Sequence, residues 1–331
     1  MIVEVHPDQA AEHARTHFPT VEGVDVFTSE SEWLAKRTQG IGASESAAIL
    51  GLNPWKSPLA LFTDKLGLGD DPFVETGAIR MGRKLEPVVA DIYAEDTQRI
   101  LEDLGRYTIL RRGNLTATLD RVILHEKRGV LEIKTTNSRN ADHWADEPPA
   151  RFQVQVQHQL AVTGAEWGSL AVLIGGQDFK WYDVPRNDDF INLVLLPKVE
   201  EFMERLASND PPPADASESS AKALAKLYAS ETAGKIITLP AIASTWHNQK
   251  IEANERIKEA EALLLEADNH LKELLGDAEV GTLEIGGAYK YRVEPRSGAK
   301  CSACKVTMAC PACGTEAKGS TPRVLRYVKK V

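Results

Sequence analysis

The chain has 331 residues, 43% of them apolar and 26% charged, and a formal charge of −9. That is the composition of a globular chain long enough for two domains, and it excludes a fibrous or wholly disordered protein. The acidic average also argues against a simple nucleic-acid binder, whose footprint is basic, yet it hides an asymmetry: residues 289–331 carry ten Lys/Arg and two acids, a net +8, which leaves −17 over residues 1–288.

No apolar run approaches the roughly 20 residues of a spanning helix. The start, MIVEVHPDQAAEHARTHFP, lacks the basic, apolar, small-residue order of a signal peptide. A cytoplasmic chain without membrane contact is expected.

Residues 1–29 read as a loose lead-in. From Glu30 to Leu68 the pattern is helical, punctuated by Gly40, Gly42, Gly51, Pro54 and Pro58. Residues 78–97 predict a longer helix with Leu85, Val88, Val89, Ile92 and Tyr93 on one face, Pro87 marking a kink or its first turn. Three β-prone runs follow, at 105–112, 115–124 and 129–136, with HEKRG turning the last two into a hairpin. ARFQVQVQHQLAVTG carries both a strand alternation and a helical stripe of Phe152, Val156, Leu160 and Thr163. Helix is the expectation, because strands of one sheet need a crossover. GSLAVLIGG and DFKWYDVP are two more strands, and NDDFINLVLLPKVEEFMERLA a closing helix. This order predicts an α/β layer fold with a mixed sheet over residues 30–207.

The proline run SNDPPPADASESS makes 208–221 a linker. Residues 222–276 predict a helical hairpin. Its second arm repeats Ile257, Leu264, Leu271 and Ala260, Ala267, Leu274 every seven residues, the alternative being an intermolecular coiled coil. Residues 277–331 predict a β-hairpin flanking CSACKVTMACPACG. Its Cys301, Cys304, Cys310 and Cys313 form two C-x-x-C knuckles, a thiolate set for structural Zn²⁺ in preference to free thiols or an iron–sulfur cluster. A basic zinc module of this kind suits DNA contact.

The segment LTATLDRVILHEKRGVLEIKTTN concentrates the chemistry. Asp120 ends one expected strand and Glu132-Ile133-Lys134 lies on the next. The strand period of two puts Glu132 and Lys134 on one face and Ile133 on the other. Two carboxylates and a backbone carbonyl make a hard-oxygen site for Mg²⁺, and a neighbouring lysine can orient a water and stabilise phosphate charge. Cross-strand ion pairs explain the same pattern on many exposed strands. Here Val130, Leu131 and Ile133 mark an apolar, central strand, where charge demands a reason.

Four blocks together resemble the YqaJ-type viral recombinase family, relatives of lambda exonuclease in the PD-(D/E)XK nuclease superfamily. They are RTQGIGASESAAILGLNPWKSPLALFTDKLGL, MGRKLEPVVADIYAEDT, TATLDRV with GVLEIKTTN, and FQVQVQHQLAVTG, spanning residues 37–164. Leu119 stands where the superfamily's name-giving proline would be. The resemblance implies a restriction-endonuclease-like core with a mixed sheet flanked by helices, followed by the helical hairpin and a small β/zinc-ribbon-like module. It implies that Asp120, Glu132, the Ile133 carbonyl and Glu86 hold Mg²⁺ or Mn²⁺, and that Lys134 positions the attacking water. Arg37 and Ser44 match positions that hold a terminal 5′ phosphate, and Gln155 and Gln157 positions near the active site. His158 is read as structural and Trp55 as packing its turn.

The implied activity is 5′-to-3′ exonucleolytic hydrolysis of linear double-stranded DNA in phage-type recombination. A single-strand annealing protein would be the partner, and a homo-oligomer, possible as a ring, the assembly. A non-catalytic DNA-end-binding or recombination-partner scaffold, and an endonuclease of the same superfamily, remain open at this point.

Overall fold

The computed structural model describes residues 1–69, 75–293 and 323–328. The chain divides into two compact units, Met1–Ala233 and Gly234–Val331.

In chain order the first unit holds β1 (Ile2–Glu4), α1 (Pro7–His17), β2 (Gly23–Val26), α2 (Glu30–Arg37) and β3 (Ile41–Gly42). After a 3₁₀ turn (Ala43–Glu45) come α3 (Ser46–Ile49), α4 (Pro58–Lys65) and α5 (Gly77–Thr97). Five strands follow: β4 (Ile100–Asp103), β5 (Thr108–Arg112), β6 (Leu115–Ala117), β7 (Arg121–Leu124) and β8 (Gly129–Thr136). The unit closes with α6 (Ala150–Thr163), β9 (Trp167–Ile174), β10 (Asp178–Pro185), α7 (Asp188–Phe190), α8 (Leu196–Ser208) and α9 (Glu218–Leu227). A π-helical turn (Ile191–Leu195) joins α7 to α8, just ahead of Pro197.

The main sheet is six-stranded and mixed, in the order β1-β4-β7-β8-β9-β10. Its one parallel pair near the centre, β8 with β9, is bridged by α6, the crossover such a pair requires. A second, four-stranded sheet runs β2-β5-β6-β3. The main sheet is covered on both faces. Leu101, Ile123, Leu131 and Ile133 pack with Val89, Ala90 and Tyr93 of α5. Val122, Val130 and Leu170 pack with Val156, Leu160 and Ala161 of α6. Gly168 lets α6 and β8 come this close, since a Cβ there would lie 2.7 Å from Val130 Cγ2 and 2.8 Å from Val156 Cγ1.

Several expectations change. Residues 1–29 are not a loose lead-in. β1 pairs in parallel with β4, and α1 buries Ala10 and Ala14. Only small residues face inward, so no apolar stripe announces the helix. The single strand expected over 115–124 is two, β6 and β7, in different sheets, and residues 118–120 carry the chain between them. β4 was not foreseen, because ILED is short and ends in two acids. Pro87 lies well inside α5, whose first turn is capped by Thr76. The helix expected as the first arm of a hairpin belongs to the first unit, where α9 packs on α4 and Ser57 N donates to Ser219 Oγ at 3.1 Å.

In the second unit the described residues form α10 (Ile242–Leu275) and a three-stranded antiparallel sheet of β11 (Val280–Thr282), β12 (Ala288–Val293) and β13 (Arg323–Val328). Ile257, Leu264 and Leu274 of the heptad seam are exposed. The four cysteines lie outside the described residues, so the zinc-ribbon expectation stays an expectation. Among the described residues no helix is long and apolar enough to cross a membrane.

Candidate active site

A cleft of about 1040 Å³ opens in the first unit, lined among others by Arg37, Ser44, Glu86, Asp103, Asp120, Arg121, Glu132, Lys134 and Gln155. Local structure explains how each group reaches it. Residues 118–120 leave one sheet and enter the other, so Asp120 stands at the switch point instead of inside a ladder. Its Oδ2 accepts from the Ile133 backbone N–H at 2.6 Å. Glu132 and Lys134 share a face of β8, and Lys134 Nζ donates to Glu132 Oε1. α6 lies across that face: Gln155 Nε2 donates to Glu132 Oε1 at 2.7 Å and Gln159 Nε2 to Oε2 at 2.6 Å.

Glu86 comes from α5, immediately before Pro87. Arg121 Nη1 donates to Glu86 Oε1 at 2.8 Å, lies 3.3 Å from Asp103 Oδ2, and also bonds the Asp120 carbonyl. The Arg121 side chain is 6% exposed, so this guanidinium is a buried countercharge fixed between two carboxylates.

Burial raises the Asp120 pKa well above the ordinary carboxylate value, and the charges of Glu132 and Glu86 raise it further. Burial works against the Lys134 charge, but Glu132 and Asp120 outweigh it and the net shift is upward. Lys134 is therefore a cation at neutral pH and not a free base. Three carboxylates that raise one of their own pKa values form a site short of positive charge. Their donors are all hard oxygens, which suits Mg²⁺.

In the same cleft, Arg37 Nη2 donates to Ser44 Oγ at 2.8 Å, and the guanidinium stacks on Trp33 at 4.9 Å. Ser44 belongs to the 3₁₀ turn, while α3 starts at Ser46. Glu45 Oε2 accepts from Gly42 N at 2.7 Å and pairs with Lys65 Nζ at 2.8 Å, which pins that turn.

Two expected residues lie elsewhere. Gln157 donates to the Pro185 carbonyl at 2.7 Å and accepts from Asn187 N at 2.9 Å, so it braces the end of β10. A helix turns about 100° per residue, so Gln155 and Gln159, four apart, share the face that Gln157 leaves. Trp55 does not pack its turn: it is 72% exposed, with the Arg151 guanidinium 5.0 Å from its ring. His158 is fully buried between Ser46 Oγ and the Thr116 carbonyl, and burial lowers its pKa to about 4. Sequence reasoning missed Gln159, Arg121 and Asp103. The i, i+4 spacing of the two glutamines was a usable signal; a buried arginine beside Asp120 leaves none.

The fold and the cleft together define a mixed α/β protein with a buried acid–lysine centre. A family profile for the YqaJ-like viral recombinase domain matches residues 32–166. Over 259 residues the chain is 34% identical to the uncharacterized protein YqaJ of Bacillus subtilis (strain 168), covering 76% of this chain and 80% of that one. The chain belongs to the YqaJ-like viral recombinase family. Among solved structures, it is similar to an alkaline exonuclease, LHK-Exo, from Laribacter hongkongensis, with a TM-score of 0.45, 20% identity, and coverage of 60% of this chain and 99% of that one. It is also similar to a phage related exonuclease from Haemophilus somnus 129PT, with a TM-score of 0.39, 12% identity, and coverage of 51% and 96%.

Proposed function

We propose that the chain is a divalent-metal-dependent deoxyribonuclease that hydrolyses one strand of linear duplex DNA from its 5′ end. The observation that carries this reading is the convergence of Asp120, Glu132, Glu86 and Lys134 in the cleft that also holds the Arg37–Ser44 pair. Asp120, Glu132 and Glu86, with the Ile133 carbonyl, would hold the metal. Bound there, Mg²⁺ supplies a water of lowered pKa and neutralises charge on the scissile phosphate.

This chain's residues do the rest. Lys134 Nζ, tied to Glu132 Oε1, orients the attacking water and meets the developing phosphate charge. Gln155 and Gln159 fix both oxygens of Glu132, so that carboxylate needs no reorganisation. Arg121 holds Glu86 at the rim. Arg37, already stacked and bonded to Ser44, gives a terminal phosphate a planar donor fork. A phosphate seated there would set the end from which hydrolysis begins.

The test is a linear duplex labelled at the 5′ or the 3′ end, beside a covalently closed circle, with Mg²⁺. The reading requires early release of the 5′ label and an intact circle. Nicking of the circle would make the protein an endonuclease, and no hydrolysis of any substrate would leave it a DNA-end-binding protein.

A further inference from the structure

α1 carries a pattern that the cleft does not use. His13 and His17 are four residues apart and share one helix face. Across from them, β4 presents Glu102, only 3% exposed. Successive strand residues point to opposite faces: Asp103 lines the acidic cleft, and Glu102 turns to α1. His13 Nδ1 lies 3.2 Å and His17 Nε2 2.7 Å from the same oxygen, Glu102 Oε1. The three potential donor atoms all lie within 4.8 Å of one another. A carboxylate buried in a sheet interior is costly unless a cation or strong donors compensate it.

We propose that His13, His17 and Glu102 bind one zinc-class divalent cation that fastens α1 to β4. Zinc bonds of about 2.0–2.2 Å set tetrahedral ligand atoms roughly 3.3–3.6 Å apart. The two imidazole nitrogens, now 3.2 and 2.7 Å from Oε1, would move apart from it to admit the ion. Two imidazoles and one carboxylate favour Zn²⁺, Co²⁺ or Ni²⁺ over Mg²⁺. That separates this site by its chemistry from the all-oxygen cleft. The His13 side chain is 37% exposed, so the fourth position opens to solvent and takes water. Ligation through His17 Nε2 leaves a proton on Nδ1, which Arg128 Nε now approaches at 3.3 Å. Arg128 must turn aside, an exposed contact to give up, while its Nη1 stays on the His125 carbonyl.

The test uses the full-length protein, stripped with chelator and reloaded with Zn²⁺. The cysteine segment is expected to take zinc too, so the readout is a difference: His13→Asn/His17→Asn should bind one equivalent less than wild type by elemental analysis. A second readout needs no variant. Adding Zn²⁺ to ¹⁵N-histidine-labelled wild type should shift the ring nitrogens of His13 and His17. Equal zinc content in wild type and variant, or ring nitrogens of both histidines unmoved at saturating Zn²⁺, would overturn the proposal.

Discussion

Glu132 takes hydrogen bonds from three side chains, Lys134, Gln155 and Gln159, and its orientation is settled before any ligand arrives. Arg121 plays the matching part for Glu86 and Asp103. Removing one partner of a buried ion pair typically costs about 3–5 kcal/mol, because the other charge is left uncompensated. Arg121→Met should lower stability by that order in urea unfolding, and saturating Mg²⁺ should recover part of the loss. His158 gives a pH signature. The unfolded histidine takes a proton below about pH 6.5, whereas the folded one does so only near pH 4. Stability is thus full above pH 6.5 and falls as the pH drops towards 4, by about 3 kcal/mol in all. Urea midpoints between pH 6.5 and 5, above most carboxylate titrations, should fall in wild type and stay flatter in His158→Gln. Glu132 and Lys134 were legible because period two on an apolar strand leaves charges little freedom. Arg121 and Asp103 were not, since their approach to each other depends on strands β4 and β7 pairing across the intervening sequence.

Elements position these groups through close backbone approach. β8 runs between β7 and β9 with α5 on one face and α6 on the other, so a shift of β8 moves Glu132 and Lys134 together. Gly168 on β9 is where that spacing is set. Overpacking a core typically costs about 1–3 kcal/mol. Gly168→Ala should lose that much in chemical denaturation and lose hydrolysis rate as well, because Val130 cannot yield without carrying Glu132. α5 and β8 were readable from periodicity, and α6, ambiguous by pattern, from the crossover that parallel strands require. β1 and β4 were not: three- and four-residue strands gain their identity from pairing, and neither carries a pattern of its own. The split of 115–124 into β6 and β7 was hidden for a related reason. Both halves are β-prone, and only the second sheet shows where one ends.

At the scale of the molecule, all the candidate catalytic groups lie in Met1–Ala233. The charge reading changes accordingly. Four of the 48 acids behind the charge that argued against DNA stand in one cleft as Asp103, Asp120, Glu132 and Glu86, a set that a bound divalent cation would turn from a barrier into a phosphate site. A chain ending at Ala233 should fold, with a cooperative unfolding transition, and keep Mg²⁺-dependent hydrolysis. Weaker DNA affinity with a shallower salt dependence is expected, because the basic tail at 289–331, and the counterions its phosphate contacts would release, are gone. A truncated chain that folds but no longer hydrolyses DNA would place an essential group beyond residue 233.

The most direct test is the rate of nucleotide release from linear duplex DNA with Mg²⁺ by wild type, Glu132→Gln and Lys134→Ala. Wild type should release nucleotides, and each variant should do so roughly 10²-fold or more slowly while still binding DNA ends. Rates unchanged in both folded variants, or no release by wild type, would contradict the assignment of this cleft as the hydrolytic centre.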